Sequence, residues 1–267
     1  MITIDKNELD IKKISESGQC FRMRKSVSDP SLWEVQALDR FVTVREGKDD
    51  VRIDCSEAEF ADFWREYFDL GCNYGEVIKS VDPGDFFLTE AAEYSRGLRI
   101  LKQDPWEMLI TFIISQRKNI PAITGCVEKI SAEFGSPIGD GLYAFPSPEQ
   151  LAAAGDALCG CSLGYRDDYV RRASEAAASG EADLYGWRSL DDADLSEKLL
   201  ALRGVGVKVA NCVMLFGYHR INAFPVDVWI KRVIEEKYGG RFPLERYSGF
   251  AGIIQQYMFY YGRHALK

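Results

Sequence analysis

Two glycines with a single residue between them, followed at once by an apolar helical repeat, constrain this chain more than anything else in it. Leu202-Arg-Gly204-Val-Gly206-Val-Lys208-Val-Ala-Asn-Cys212 reads as a hairpin opening into a helix. Glycine lets the backbone turn tightly there and lets N–H groups approach a ligand with no Cβ in the way. Val209, Val213 and Phe216 then fall at i, i+4 and i+7, the spacing of one buried helix face. After a polar turn over 217–222, Phe224-Pro-Val-Asp227 starts another helix, with Asp227 at its N-cap and Val228, Val233 and Ile234 inward. The pattern predicts a helix-hairpin-helix at about 195–217 with a further helix behind it.

The chemistry of this stretch centres on Lys208. It sits in the first turn of a helix, where the positive end of the macrodipole and apolar neighbours both work against an ammonium charge. A free amine is a nucleophile able to form Schiff bases. Asp227, arriving on the next helix, is a group that stabilises developing positive charge or moves protons. Gly204 and Gly206 offer N–H groups at a helix N-terminus, which suit a phosphate. Taken singly, each has a plainer reading: a solvated lysine, a capping aspartate, a turn. The Gly-x-Gly fits neither a dinucleotide loop nor a Walker loop, so the order of the parts carries the weight.

Composition sets the frame. The 267 residues have room for one large domain or two modest ones, and 46% hydrophobic content with 12% aromatics predicts a globular protein. No apolar run reaches eighteen residues and no signal peptide opens the chain, so the expectation is a soluble, cytoplasmic, nucleoid-associated protein with no membrane partner. Seven scattered cysteines suit reduced thiols, and Cys159-Gly-Cys161 stands too isolated for a metal site. His219 and His264 lack ligand-spaced neighbours and are expected at the surface. The net charge of −8 argues against nucleic acid until its distribution is read. Residues 201–267 hold ten Lys/Arg and four acids, a net of +6, which leaves −14 on residues 1–200. A basic face on an acidic body is compatible with DNA contact, since local potential is what a ligand meets.

The hairpin sequence with its Lys208 and Pro-Val-Asp227-Val strongly resembles the helix-hairpin-helix DNA glycosylases, and within them the 8-oxoguanine DNA glycosylase/AP lyases. The likeness extends over most of the chain. Strand-like segments at 21–24, 32–37 and 41–45, then helical spacing at 57–81, 86–101, 105–116, 119–135, 148–154, 167–179, 190–202, 207–217, 227–238 and 246–262, give an α+β chain. Residues 1–95 form an antiparallel sheet domain with helices. Residues 96–267 form a larger all-helical glycosylase domain, which in the family splits into two lobes with the active-site cleft between them.

The resemblance implies roles for particular residues. Lys208 and Asp227 match the catalytic pair. Gly18, in Gly18-Gln-Cys-Phe21, matches the glycine whose carbonyl accepts the N7–H that separates 8-oxoguanine from guanine. Gln255 would bond the Watson–Crick edge of the flipped purine, with Phe259 and Cys212 against its two faces. Arg117 and Asn119 lie in the segment resembling the loop that enters the duplex. Tyr165 matches the aromatic that wedges the helix, and Arg166 an arginine that reads the orphaned cytosine. Trp229 stands where the family commonly has a phosphate-side histidine, and its indole can only donate. Ala122 replaces a second cytosine-reading arginine, which predicts weaker discrimination of the opposite base. After Cys212 there is no further cysteine, so the quartet of the iron–sulfur branch is absent. The implied activity is excision of 8-oxoguanine from double-stranded DNA by a monomer, with no cofactor. The other readings are a glycosylase for another damaged base and a non-catalytic helix-hairpin-helix DNA-binding module.

Overall fold

The computed structural model describes residues 1–26, 28–139 and 141–266. Five strands form one antiparallel sheet in the order β1-β5-β4-β3-β2: β1 (Ile2–Asp5), β2 (Met23–Lys25), β3 (Leu32–Ala37), β4 (Arg40–Glu46) and β5 (Asp50–Ile53). Period-two alternation turns one face inward, with Trp33 and Val35 paired against Val44 and Val42, and Ile53 beside Val44. Leu9 and the buried side of α1 (Ile11–Glu16) belong to the same core. The chain then passes through α2 (Glu57–Glu59), a π turn (Phe60–Trp64) and α3 (Arg65–Tyr67) to α4 (Tyr74–Lys79).

The rest is helical: α5 (Phe86–Tyr94), α6 (Pro105–Ile114), α7 (Ile120–Phe134), α8 (Pro148–Ala153), α9 (Asp167–Ala178), α10 (Asp192–Ala201), α11 (Val207–Phe216), α12 (Val228–Tyr238) and α13 (Ala251–Ala265), with a small β6 (Pro137–Gly139) and β7 (Leu142–Tyr143) hairpin. Every residue of α6 is buried, so this helix is the axis of the helical part, with α11 packed along it. No helix among the described residues is long and apolar enough to cross a membrane.

Arg99 ties the sheet half to the helices. It is 1% exposed, and its guanidinium donates to the carbonyls of Glu8, Phe68, Asp69 and Cys72. A buried charge is tolerable only when its donors are used in this way.

The structure corrects several expectations. The helix expected over 86–101 stops at Tyr94, because Gly97 takes φ +82 with Lys6 and Asp10 packed against it, and 98–103 has no regular secondary structure. The last helix begins at Ala251, after a 3-10 turn at Leu244–Tyr247. In α12 the inward residues are Ile230 and Val233, whereas Val228 is 79% exposed. His219 is not a surface residue. It adopts φ +53, is partly buried, and its Nε2 lies 3.3 Å from Asp69.

Candidate active site

The hairpin forms as the glycine pattern requires. Gly204 takes φ +85, and a Cβ there would stand 2.4–2.8 Å from Tyr169 ring and Cβ atoms. Only glycine meets both demands. Val205 turns inward and its N–H donates to the Leu202 carbonyl, which closes the turn. Gly206 is extended, a Cβ added to it would meet nothing within 4 Å, and Val207 beside it is 69% exposed. No side chain caps α11, unlike α6, α7, α10 and α12. Its first N–H groups therefore face outward at the positive end of the helix dipole.

From the first turn of α11, Lys208 reaches the wall of a cleft of about 610 Å³ that lies between α6, α7 and α11 on one side and α12 and α13 on the other. Lys208 Nζ lies 3.4 Å from Ser115 Oγ and 5.1 Å from the Phe112 ring centroid. Asp227 caps α12 through one oxygen only, since Oδ1 accepts from Trp229 N–H (3.0 Å) and Ile230 N–H (2.8 Å). Oδ2 has no hydrogen-bond partner among the described residues. Burial pushes the Asp227 carboxyl above its ordinary range, and the two helix N–H groups and the Lys208 charge work against that rise. Burial likewise pushes the Cys212 thiol up, with Lys208 opposing.

The opposite wall is aromatic and amide. Phe259 lies against Gly18: a Cβ on Gly18, itself at φ +72, would sit 3.6 Å from the ring. Gln19 sets this placement. Fully buried, it donates to Ser17 Oγ and the Arg99 carbonyl, accepts from Leu101 N–H, and offers its own carbonyl to Gln103. Gln255 is 3% exposed and its Nε2 donates to the Pro225 carbonyl. The Arg263 guanidinium lies 5.4 Å from the Phe259 centroid and donates to the Glu16 carbonyl.

The sequence-derived residues thus divide into two sets. Gly18, Arg117, Asn119, Lys208, Cys212, Asp227, Trp229, Gln255 and Phe259 all line the cleft. Gly204, Gly206, Tyr165 and Arg166 lie outside it. Arg117 is exposed at φ +54, an uncommon backbone for an arginine. Asn119 caps α7 through its Oδ1, so only its amide nitrogen is free to work elsewhere. Tyr165 is 52% exposed, with the Arg166 guanidinium 4.4 Å from its ring centroid. Arg166 is 7% exposed, and its donors go to the carbonyls of Gln116 and Leu163. Ser115 and Gln116 also line the cleft, and both belong to the 115–119 segment that resembles the loop entering the duplex. Lys231, Gln256 and Arg263 line it as well, and the sequence holds no signal for them.

The fold and this cleft define the helix-hairpin-helix class of DNA glycosylases. Residues 1–109 match the family described as 8-oxoguanine DNA glycosylase, N-terminal domain. A probable N-glycosylase/DNA lyase of Methanothermobacter thermautotrophicus is 32% identical over 211 residues, 67% of each chain. MBOgg1, solved in complex with a low-affinity DNA ligand, superposes with a TM-score of 0.89 at 36% identity, covering 97% of this chain and 94% of that one. The Clostridium acetobutylicum 8-oxoguanine glycosylase/lyase, bound to duplex DNA with cytosine opposite the lesion, gives 0.89 at 32% identity over 100% and 99%. The chain belongs to the 8-oxoguanine DNA glycosylase family.

Proposed function

We propose that this protein is a bifunctional DNA repair glycosylase/AP lyase that excises 8-oxoguanine from duplex DNA and then nicks the strand. One observation carries the reading: the amine of Lys208 and the uncommitted oxygen of Asp227 meet one cleft whose far wall is Phe259, Gly18 and Gln255. That is a nucleophile and an anion facing a cleft wall that carries a stacking ring and an amide.

The chemistry follows from the groups present. Phosphate docks on the open N-terminus of α11 at Gly204–Gly206. The lesion leaves the stack for the cleft, and the loop of Arg117 and Asn119, with Trp229 and with Tyr165 on the turn that Arg166 fixes, holds the opened duplex. Phe259 and Cys212 cover the base faces, Gln255 reads its Watson–Crick edge, and the Gly18 carbonyl accepts N7–H. Guanine would present an acceptor there and leave that carbonyl unpaired, which costs about 1–3 kcal/mol. The Lys208 amine forms its bond to C1′ as the C1′–N9 bond breaks, and the proton that the lysine nitrogen gives up goes to N9 of the departing base. Asp227 stabilises the oxocarbenium-like charge. The sugar ring opens to an iminium, loss of a 2′ proton expels the 3′ phosphate, and the strand is cut. We infer a cytoplasmic, nucleoid-associated location from the chromosomal nature of that substrate.

Borohydride trapping tests the reading on duplex containing 8-oxoguanine opposite cytosine. An adduct is expected that needs both the lesion and Lys208 and is lost in Lys208→Gln while DNA binding stays. Lyase activity retained in that variant would remove Lys208 from the role. DNA binding with no base release would favour a non-catalytic module.

A further inference from the structure

Gln255 and Gln256 are consecutive on α13, both 3% exposed, and both reach the cleft wall. Their amides are joined in series. Gln256 Nε2 donates to Gln255 Oε1 at 3.0 Å, and Gln255 Nε2 donates to the Pro225 carbonyl at 3.0 Å. Gln256 Oε1, by contrast, is buried with no partner. A buried acceptor left unpaired is costly, so Gln256 gains nothing for itself from carrying an amide. Turning its own amide over would set its Oε1 against Gln255 Oε1, two acceptors together. What the residue delivers is one donor, to one arm of its neighbour.

That donor decides the sense in which Gln255 can read a base. A primary amide meets a purine edge in either of two orientations of nearly the same shape. In one, its N–H meets the acceptor at C6 and its carbonyl the donor at N1, which is the guanine-type edge. Turned by half a revolution it suits the donor at C6 and acceptor at N1 of the adenine-type edge. Pro225 and Gln256 hold the two arms with opposite polarity. Reversal would bring Gln255 Oε1 against the Pro225 carbonyl and Nε2 against Gln256 Nε2, so two hydrogen bonds become two like-pole contacts.

We propose that Gln256 is a positioning residue that locks the Gln255 amide in one sense and so makes the base pocket selective for the guanine-type edge. This rests on Gln255 being the edge reader of the flipped purine. The test compares single-turnover excision of 8-oxoguanine and 8-oxoadenine by the full chain and by Gln256→Met, Gln256→Glu and Gln255→Ala. Strand cleavage at a base-free abasic site serves as the readout of folding and of the amine chemistry. Loss of the one donor in Gln256→Met should lower the 8-oxoguanine to 8-oxoadenine rate ratio by about tenfold, with abasic-site cleavage unchanged. Gln256→Glu, which replaces the donor by an acceptor, should lower it further. A ratio unchanged in both Gln256 variants but collapsed in Gln255→Ala would overturn the positioning role alone. A ratio unchanged in Gln255→Ala would overturn the reading of Gln255, and this inference with it.

Discussion

Lys208 Nζ is held from two sides by the end of α6, 3.4 Å from Ser115 Oγ and 5.1 Å from the centre of the Phe112 ring. Ser115 Oγ donates its own proton to the Phe112 carbonyl at 2.8 Å, so the lone pairs of the hydroxyl are what face the lysine. In the mechanism proposed above, the serine therefore orients the amine without taking part in bond making. Ser115→Ala should slow formation of the trapped adduct by about tenfold, through looser placement of the nucleophile, with duplex affinity unchanged. A time course of borohydride trapping at saturating enzyme measures it.

The two hairpin glycines should respond differently to alanine. At Gly204 the left-handed backbone and the Tyr169 ring both oppose a methyl group, and the ring atoms concerned lie too near the Tyr169 backbone to swing aside. Gly204→Ala should cost roughly 2–4 kcal/mol of stability. Gly206 is extended and open, so Gly206→Ala should change stability by less than about 1 kcal/mol. Its methyl group would still stand where a phosphate approaches, so duplex affinity should fall. Urea denaturation and fluorescence anisotropy with labelled duplex separate the two effects.

Glu107 gives the molecule a pH-dependent weakness. It is 7% exposed at the start of α6, and burial pushes its carboxyl up to about 7, against the pull of Arg22 3.7 Å away. The folded state thus holds a proton that the unfolded chain has released. Stability falls as pH rises from the ordinary glutamate value to about 7, and is level above it. Glu107→Gln removes this term. The stability of the variant relative to the parent should therefore rise by roughly 2–3 kcal/mol between pH 5 and pH 8. Urea denaturation at the two pH values is the check, and a constant difference would refute it.

Ala122 is exposed and carries no donor, while the guanidinium of Arg166 is bound to carbonyls of its own chain. A good bidentate arginine contact discriminates between bases by about 1–3 kcal/mol, so its loss should be visible in rates. Excision of 8-oxoguanine opposite C, A, G and T should agree to within about tenfold, the lower end of that range. A preference for cytosine beyond roughly a hundredfold would show that another group reads the orphaned base.

The hairpin, Lys208 and Asp227 were legible because they lie in one contiguous stretch whose spacing states its own structure. The strands β3 and β4 were legible from their runs of β-forming residues between turn signals. Four-residue β1 and β5 were not, since strands that short carry almost no period. They exist because Ile4 pairs with Val51 and Ile2 with Ile53 across some fifty residues of chain. His219 failed for a related reason: nothing near it in sequence announces Asp69, which the fold brings to 3.3 Å. Residues of the site that lie at a distance from the motif, such as Gln256 and Arg263, look like ordinary helix positions until α13 is set against α11.

Gln116 joins three of the segments that would face a duplex. Its amide nitrogen donates to the Gly204 carbonyl at 3.0 Å, and its own carbonyl accepts from the guanidinium of Arg166. Hairpin, loop and the 164–166 turn are thereby hydrogen-bonded to one another in the folded chain, before any encounter. A repair enzyme meets sound DNA far more often than damaged DNA. A surface that is already shaped loses no conformational entropy on each fruitless landing, so the time spent on every sound stretch is set by phosphate contacts and salt alone. On the function proposed above, the hydrogen bonds of Gln116 serve the search rather than the chemistry.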